Sequence, residues 1–314
     1  MGNLPSRRHG EVMLERKATL RGLRRQEEVL AWLFVTPVAL GILLFQVYPV
    51  LFSLYTSFTH WNFIGAPHWV GFRNYVELFT TDRFFLIALK NSVVYAIGTV
   101  VPGVILALVF AVLLNQEIRG RYVYRAIYFV PVVATTVSIS ILWTWIYEPN
   151  FGILNFLLKQ LGITGPAWLG TSRWAMPSLI IMSIWHGLGY NIVILLAGLQ
   201  AISREYYDAA AIDGANSLQQ FRYVTLPLLS PATFFVLVLS VINAFQVFTN
   251  VYVMTRGGPA NATLTLVLYL YQQAFTYEEM GVASAVAWCL FLIIVALTVL
   301  NFNLQKLWVF YEES

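Results

Sequence analysis

Apolar residues fall into six long runs, at roughly 29–58, 86–114, 126–146, 176–200, 230–254 and 280–304, divided by shorter polar segments. A hydrocarbon layer about 30 Å thick takes about 20 residues at the helical rise to cross, so each run is long enough for a spanning helix. The expected architecture is therefore an all-α membrane protein with six transmembrane helices. In this reading 1–28 is a basic tail, 29–58 the first helix, 59–85 an external loop, 86–305 the main transmembrane domain and 306–314 a short tail. Pro37 and Pro49 in the first run and Pro102 in the second each remove a backbone donor and permit a kink. The first run exceeds the 7–15 apolar residues of a cleaved leader and reads as a retained span.

Composition agrees with the pattern. Of 314 residues 59% are hydrophobic and 11% charged, against about 25% charged in ordinary soluble domains. Lys and Arg collect on the cytoplasmic side of membrane proteins. With the tail inside, inner segments hold seven in 1–28, then Arg119, Arg121 and Arg125, then Arg204 and Arg222, then Lys306, which is 13 of the 19. Both termini are thus expected in the cytoplasm, together with the loop 203–227. The basic tail, interspersed with acids and next to a span, reads as a flank for anionic membrane lipid and not as a nucleic-acid surface. Cys289, the single cysteine, falls inside the last run and reads as a small apolar residue.

Several chemistries lack their residues. Apart from Lys90 near the start of the second run, no Asp, Glu, Lys or Arg lies within the six runs, whereas proton-coupled and many ion-coupled transporters keep such relays at depth. Sodium sites built from carbonyls stay open. His186, in SIWHGLGYN, reads as a packed hydrogen-bonding residue. None of the four lysines follows a glycine, so no Walker loop is present, and HExxH, GxSxG and paired-cysteine motifs are missing as well. The expectation is a chain that is not an enzyme, binds no cofactor or metal directly, and draws any energy from another protein.

The loop YYDAAAIDGANSLQQFRYVTLPLL, 206–229, reads as helix, glycine turn, helix. Ser203 is a suitable N-cap, Glu205 suits the first turn, and Gly214 ends the helix. Ser217 and Gln220 are spaced as a capping box for the second helix, with Pro227 at the approach to the next span. Tyr206, Ala209, Ala210 and Asp213 share one face, whose small side chains admit a close partner.

This loop resembles the cytoplasmic signature of binding-protein-dependent ABC importer permeases: Asp208, Ala209 and Ala210, then Gly214, Val224, Leu226 and Pro227 fit its spacing, with Asp for Glu and Val for Ile. GFRNY at 71–75, the stretches 91–115 and 124–147, and TRGGPANATLTLVLYLYQQAF at 255–275 are similar to carbohydrate-importer permeases, in particular the first permease subunit of maltose, trehalose and glycerol-3-phosphate importers. The resemblance implies the type I importer permease fold and a coupling role for the loop. It further implies a second homologous permease, two ABC ATPase subunits that hold ATP-Mg, and an extracytoplasmic solute-binding protein.

Sugars are held by aromatic faces and by amides or hydroxyls in an apolar cleft. Two spans offer these groups: the fourth through Trp185, Gly187, Tyr190 and Asn191, and the fifth through Ser240, Asn243, Ala244 and Val247 on one face, with Gln246 and Asn250 nearby. The resemblance to the maltose permease puts sugar-contacting positions on Gly187, Tyr190, Ser240, Asn243, Ala244 and Val247. Ala244 and Val247 are apolar, which points away from maltose itself and towards another sugar or polyol. The competing readings are an ion-driven transporter subunit, a membrane scaffold, and helix-to-helix bonding as the use of these amides.

Overall fold

The computed structural model describes residue 27 and residues 30–116 and 120–310. The rest of the basic tail, Arg119 and the last four residues of the C-terminal tail lie outside the described residues. The chain falls into two units, one ending at Tyr55 and one beginning at Thr56.

The described residues of the first unit are helical. Helix α1, Leu30–Ser57, begins in it and is long and apolar enough to cross a membrane. Its second proline, Pro49, is accommodated by a wide turn: across Leu43–Val47 the helix is of π type, and the Tyr48 N–H reaches back five residues to Leu43 O. The same device recurs at Phe221–Thr225, where the Leu226 N–H bonds Phe221 O just before Pro227. A π-turn shifts the hydrogen-bond register by one residue, which lets the helix run on beside a residue without an N–H.

In the second unit a two-strand hairpin, β1 Thr59–His60 and β2 His68–Trp69, pairs antiparallel. Then follow α2 Arg73–Thr80, α3 Arg83–Asn115, α4 Arg121–Val133, α5 Thr136–Ile146, α6 Ile153–Gln160, α7 Ser172–Ala201 and α8 Arg204–Ile212. The series closes with α9 Ser217–Phe245, α10 Thr249–Met254, α11 Leu266–Tyr271 and α12 Met280–Leu304. Among the described residues five helices are long and apolar enough to cross a membrane, α1, α3, α7, α9 and α12.

Two expected spans differ from straight rods. The run 126–146 is a bent pair: Ala126–Val133 and Thr136–Ile146 meet at 110°. Ala134 and Thr135 are extended, and the Thr135 hydroxyl accepts from the Ser138 amide, so the second half starts with its own N-cap. The run 230–254 stops at Phe245 and resumes at Thr249, with Phe248 at φ −136°, ψ −61°. The Thr265 hydroxyl donates to Val247 O, and the Asn250 side chain accepts from the Val251 amide, which supplies partners where the ladder is broken.

The spans approach closely where side chains vanish. A Cβ on Gly189 of α7 would stand 2.2 Å from Tyr128 O of α4, and one on Gly198 would stand 2.7 Å from the Ala232 Cβ of α9. Small residues are the usual means of close helix packing in membranes, where hydrophobicity does not drive association. One buried cluster, with Ala107, Leu195, Leu199, Leu229 and Val236, joins α3, α7 and α9; a larger one gathers Phe85, Tyr95, Met182, Val251 and Leu266 around the break in the fifth span. On that side Asp82 caps α3 by accepting from the amides of Phe84 and Phe85, and it also accepts from the Tyr269 hydroxyl. Asn91 fixes the loop after α10 by donating to Asn261 O and Leu264 O.

Candidate functional site

The break in the fifth span opens a cavity of about 450 Å³. Its walls come from α3, from both sides of the α4–α5 bend, from the middle of α7 and from the end of α9 with the start of α10. Eight of the ten residues named from the sequence line it: Gly187, Tyr190 and Asn191 on α7, and Ser240, Asn243, Ala244, Val247 and Asn250 on the fifth span. Tyr190 and Asn243 are exposed on its open side, while Ala244 and Val247 form a buried wall.

Gln246 is exposed and outside the cavity lining. It sits on the irregular turn after Phe245, and its direction departs there from the continuous helix that the sequence suggests. Trp185 is also absent from the lining; its ring packs edge-on against Trp143 at 5.4 Å. The break moves Asn250 the other way, from the vicinity of the site into its floor.

That floor is a buried polar knot which sequence reading misses. The Asn250 amide donates to the Ser183 hydroxyl at 2.7 Å and to the Tyr95 hydroxyl at 3.1 Å, and the Tyr95 hydroxyl donates to Ser183 at 2.8 Å. Thr99 and Thr136 add hydroxyls to the wall. Single hydroxyls within apolar runs carry no periodic signal, and only the helix crossings bring them together. Among the described residues no Asp, Glu, Lys or Arg lines the cavity, and His186 is its one imidazole. Such a lining can hydrogen-bond a neutral polar solute and offers no counter-charge to an ionic one.

At the other end of α7 lies the loop 203–227. The Ser203 hydroxyl accepts from the Glu205 amide and caps α8. Gly214 ends the helix at φ +81°, with the Ala215 N–H bonding Ala210 O and the Gly214 N–H bonding Ala211 O, the paired bonds of a glycine C-cap. The next cap is Asn216 and not Ser217: its side chain accepts from the Gln219 amide, and Gln219 reciprocates to the Asn216 amide. The asparagine's reach displaces the expected Ser217–Gln220 box by one residue. Asp208, Ala209 and Gly214 are exposed, and Ala210, Val224, Leu226 and Pro227 half-buried. The Tyr207 hydroxyl lies 3.1 Å from that of Thr225, which ties α8 to the π-turn at the base of α9. Tyr206, Ile212, Leu218 and Tyr223 are exposed around it and give the loop an apolar surface.

Over residues 103–308 the sequence matches the family described as binding-protein-dependent transport system inner membrane component. It is 38% identical over 294 residues to the probable ABC transporter permease protein YesP of Bacillus subtilis, covering 92% of this chain and 94% of that protein. To the trehalose/maltose transport system permease protein MalF of Thermococcus litoralis it is 33% identical over 285 residues, covering 90% and 96%. The fold superposes on a chain of a bacterial alginate ABC transporter, crystallised in complex with an alginate pentasaccharide-bound periplasmic protein, with a TM-score of 0.79 at 20% identity, over 90% of this chain and 95% of that one.

Proposed function

This chain belongs to the binding-protein-dependent inner membrane components, the multi-pass ABC transporter permeases, and from that membership we propose that it forms half of a pathway through which a neutral sugar or sugar-like solute is imported. The observation that carries the solute class is the cavity at the broken fifth span, lined by amides, hydroxyls and apolar carbons and by no charged side chain. The trehalose/maltose name of one relative favours the same class.

In this proposal both termini and the loop 203–227 face the cytoplasm. A second, homologous permease covers the open side of the cavity, where Tyr190 and Asn243 are exposed. One of two ABC ATPase subunits docks on the exposed surface around Asp208, Ala209 and Gly214, the other on the second permease, and an external solute-binding protein delivers the solute. The chain hydrolyses no ATP itself. Closure of the ATPase pair on ATP-Mg moves α8, and the Tyr207–Thr225 link passes that movement to the base of α9. Rearrangement of α9 then switches the cavity between inward and outward access. An ion-driven mechanism is less well supported, because the cavity offers no carboxylate relay.

The test is reconstitution of the chain with its genomic partner subunits in proteoliposomes, with ATP turnover and labelled-solute uptake measured together. Solute-receptor-stimulated turnover that drives uptake supports the proposal; uptake driven by an ion gradient without nucleotide overturns it.

A further inference from the structure

The segment between α1 and α3 contributes to neither the cavity nor the loop, yet it exposes apolar surface. Helix α2 divides into three sectors. Asn74 and Leu78 are buried, and the Asn74 amide donates to Ser57 O at 2.8 Å and Thr59 O at 2.9 Å. Arg73, Glu77 and Thr80 form an exposed polar sector, with Arg73 Nε 2.7 Å from Glu77 Oε1. Between these sectors Phe72, Val76 and Phe79, at the spacing of four and three that aligns side chains on a helix, are 70%, 57% and 53% exposed.

The hydrogen bonds fix the level at which this stripe lies. Asn74 holds α2 to the last turn of α1. Asp82, two residues after α2, caps α3. The Met280 N–H, in the first turn of α12, donates to Trp61 O of the hairpin. Three span ends therefore meet around α2, and the ends of membrane spans lie towards the level where hydrocarbon gives way to water. The chain passes from the stripe into α3, where Leu86, Val93, Ile97 and Val101 continue an exposed apolar flank. The Phe58 ring also joins Trp69 and Phe72, at 5.5 and 5.2 Å, into one aromatic group at this level. Aromatic rings concentrate at membrane interfaces, and a helix split sharply into charged and apolar sectors lies along the interface plane.

We propose that α2 is an interfacial lipid-binding helix: Phe72, Val76 and Phe79 seat in the boundary between headgroups and acyl chains, Arg73 and Glu77 face water, and the helix holds the ends of α1, α3 and α12 at a fixed depth. The inference rests on the chain's place in the membrane and is independent of its solute. Cys289 is the only cysteine, so Cys289→Ala allows single spin labels at 72, 73, 76, 77 and 79, read in lipid nanodiscs by collision with oxygen and with a water-soluble nickel chelate. Expected is a severalfold higher oxygen-to-nickel ratio at 72, 76 and 79 than at 73 and 77, with a label at Ile97 as the mid-membrane reference. High nickel access at all five overturns the proposal, as does shielding of 72, 76 and 79 from both agents, which marks a protein partner. Benzoylphenylalanine at 72 or 79 needs no cysteine background: photolysis in the assembled transporter yields lipid adducts if the proposal holds and protein adducts if it fails.

Discussion

The side-chain amide of Asn250 stands 2.7 Å from the hydroxyl of Ser183, which fastens the helix beyond the break in the fifth span to the middle of the fourth. The same amide reaches Tyr95 on α3, so one residue joins three helices at the cavity floor. Its carbonyl oxygen also accepts from the Val251 amide at the start of the resumed helix.

Asn250→Ala is expected to destabilise the folded permease. Interhelical hydrogen bonds within membranes average about 0.6 kcal/mol each, and a buried amide left without an acceptor costs about 1–3 kcal/mol. The sum, roughly 2–4 kcal/mol, is large enough to lower the thermal midpoint of the purified protein by several degrees. Asn250→Asp keeps the acceptor but loses the donors and buries a carboxylate, so it is expected to be worse. Midpoints from fluorescence-detected chromatography check both, and an unchanged midpoint for the alanine variant contradicts the knot's role.

Gly214 separates backbone strain from steric clash. Its φ is +81°, and an added Cβ meets nothing within 4 Å. Gly214→Ala therefore costs about 1 kcal/mol through the left-handed conformation alone, while Gly214→Asn, which tolerates that region better, costs less. If α8 transmits movement from an ATPase, receptor-stimulated ATP turnover falls in the order glycine, asparagine, alanine. Equal turnover in all three contradicts a coupling role for the turn.

The turn after α5 has a pH dependence of definite sign. The Glu148 carboxylate accepts from the amides of Phe151 and Asn150, and these bonds hold its pKa below the usual 4.5. A depressed carboxylate contributes stability that is present above the unfolded pKa and disappears as pH falls through the lower folded value. The protection of the 148–152 turn against limited proteolysis is expected to exceed that of Glu148→Ala at neutral pH and to match it well below pH 4.5. A gap that persists in acid contradicts the assignment.

The spans were legible because a hydrophobic run of such length has few other uses, and α8 because Ser203 and Gly214 bear its start and stop in local chemistry. The break at Gln246–Phe248 was not, because SVINAFQVFTN contains no glycine or proline and reads as an unbroken helix. Its cause is tertiary: the Thr265 hydroxyl donates to Val247 O, the Asn250 side chain accepts from the Val251 amide, and hydroxyls of α3 and α7 hold the Asn250 amide in place. The bend after Val133 was half visible in Pro131, yet the turn comes at Ala134–Thr135, where a threonine cap competes with helix continuation. Gln246 and Trp185 left the site, and Tyr95 and Ser183 entered it, for one reason. A helical wheel assigns faces only while the helix lasts, and it says nothing of which neighbour lies opposite.

The cavity yields a discriminating set of variants. Gly187 lines it, and a Cβ there meets nothing within 4 Å, so the side chain of Gly187→Leu starts in open space and its outer atoms extend into the cavity. Removing glycine from a helix also gains about 0.8–1 kcal/mol of propensity. The variant is therefore expected to be as stable as the parent, or more so, while solute uptake falls, a pairing that general misfolding cannot produce. Asn243→Ala, which deletes a polar group from the open side, is expected to weaken solute retention by the receptor-free transporter about tenfold, the equivalent of roughly 1.4 kcal/mol or one to two net hydrogen bonds. Gln246→Ala lies one turn away on the same strand of sequence but outside the lining, and uptake is expected to be unaffected. Uptake assays on the three, with thermal midpoints alongside, test the cavity as the passage: loss in Gln246→Ala with full activity in Gly187→Leu places the solute path elsewhere.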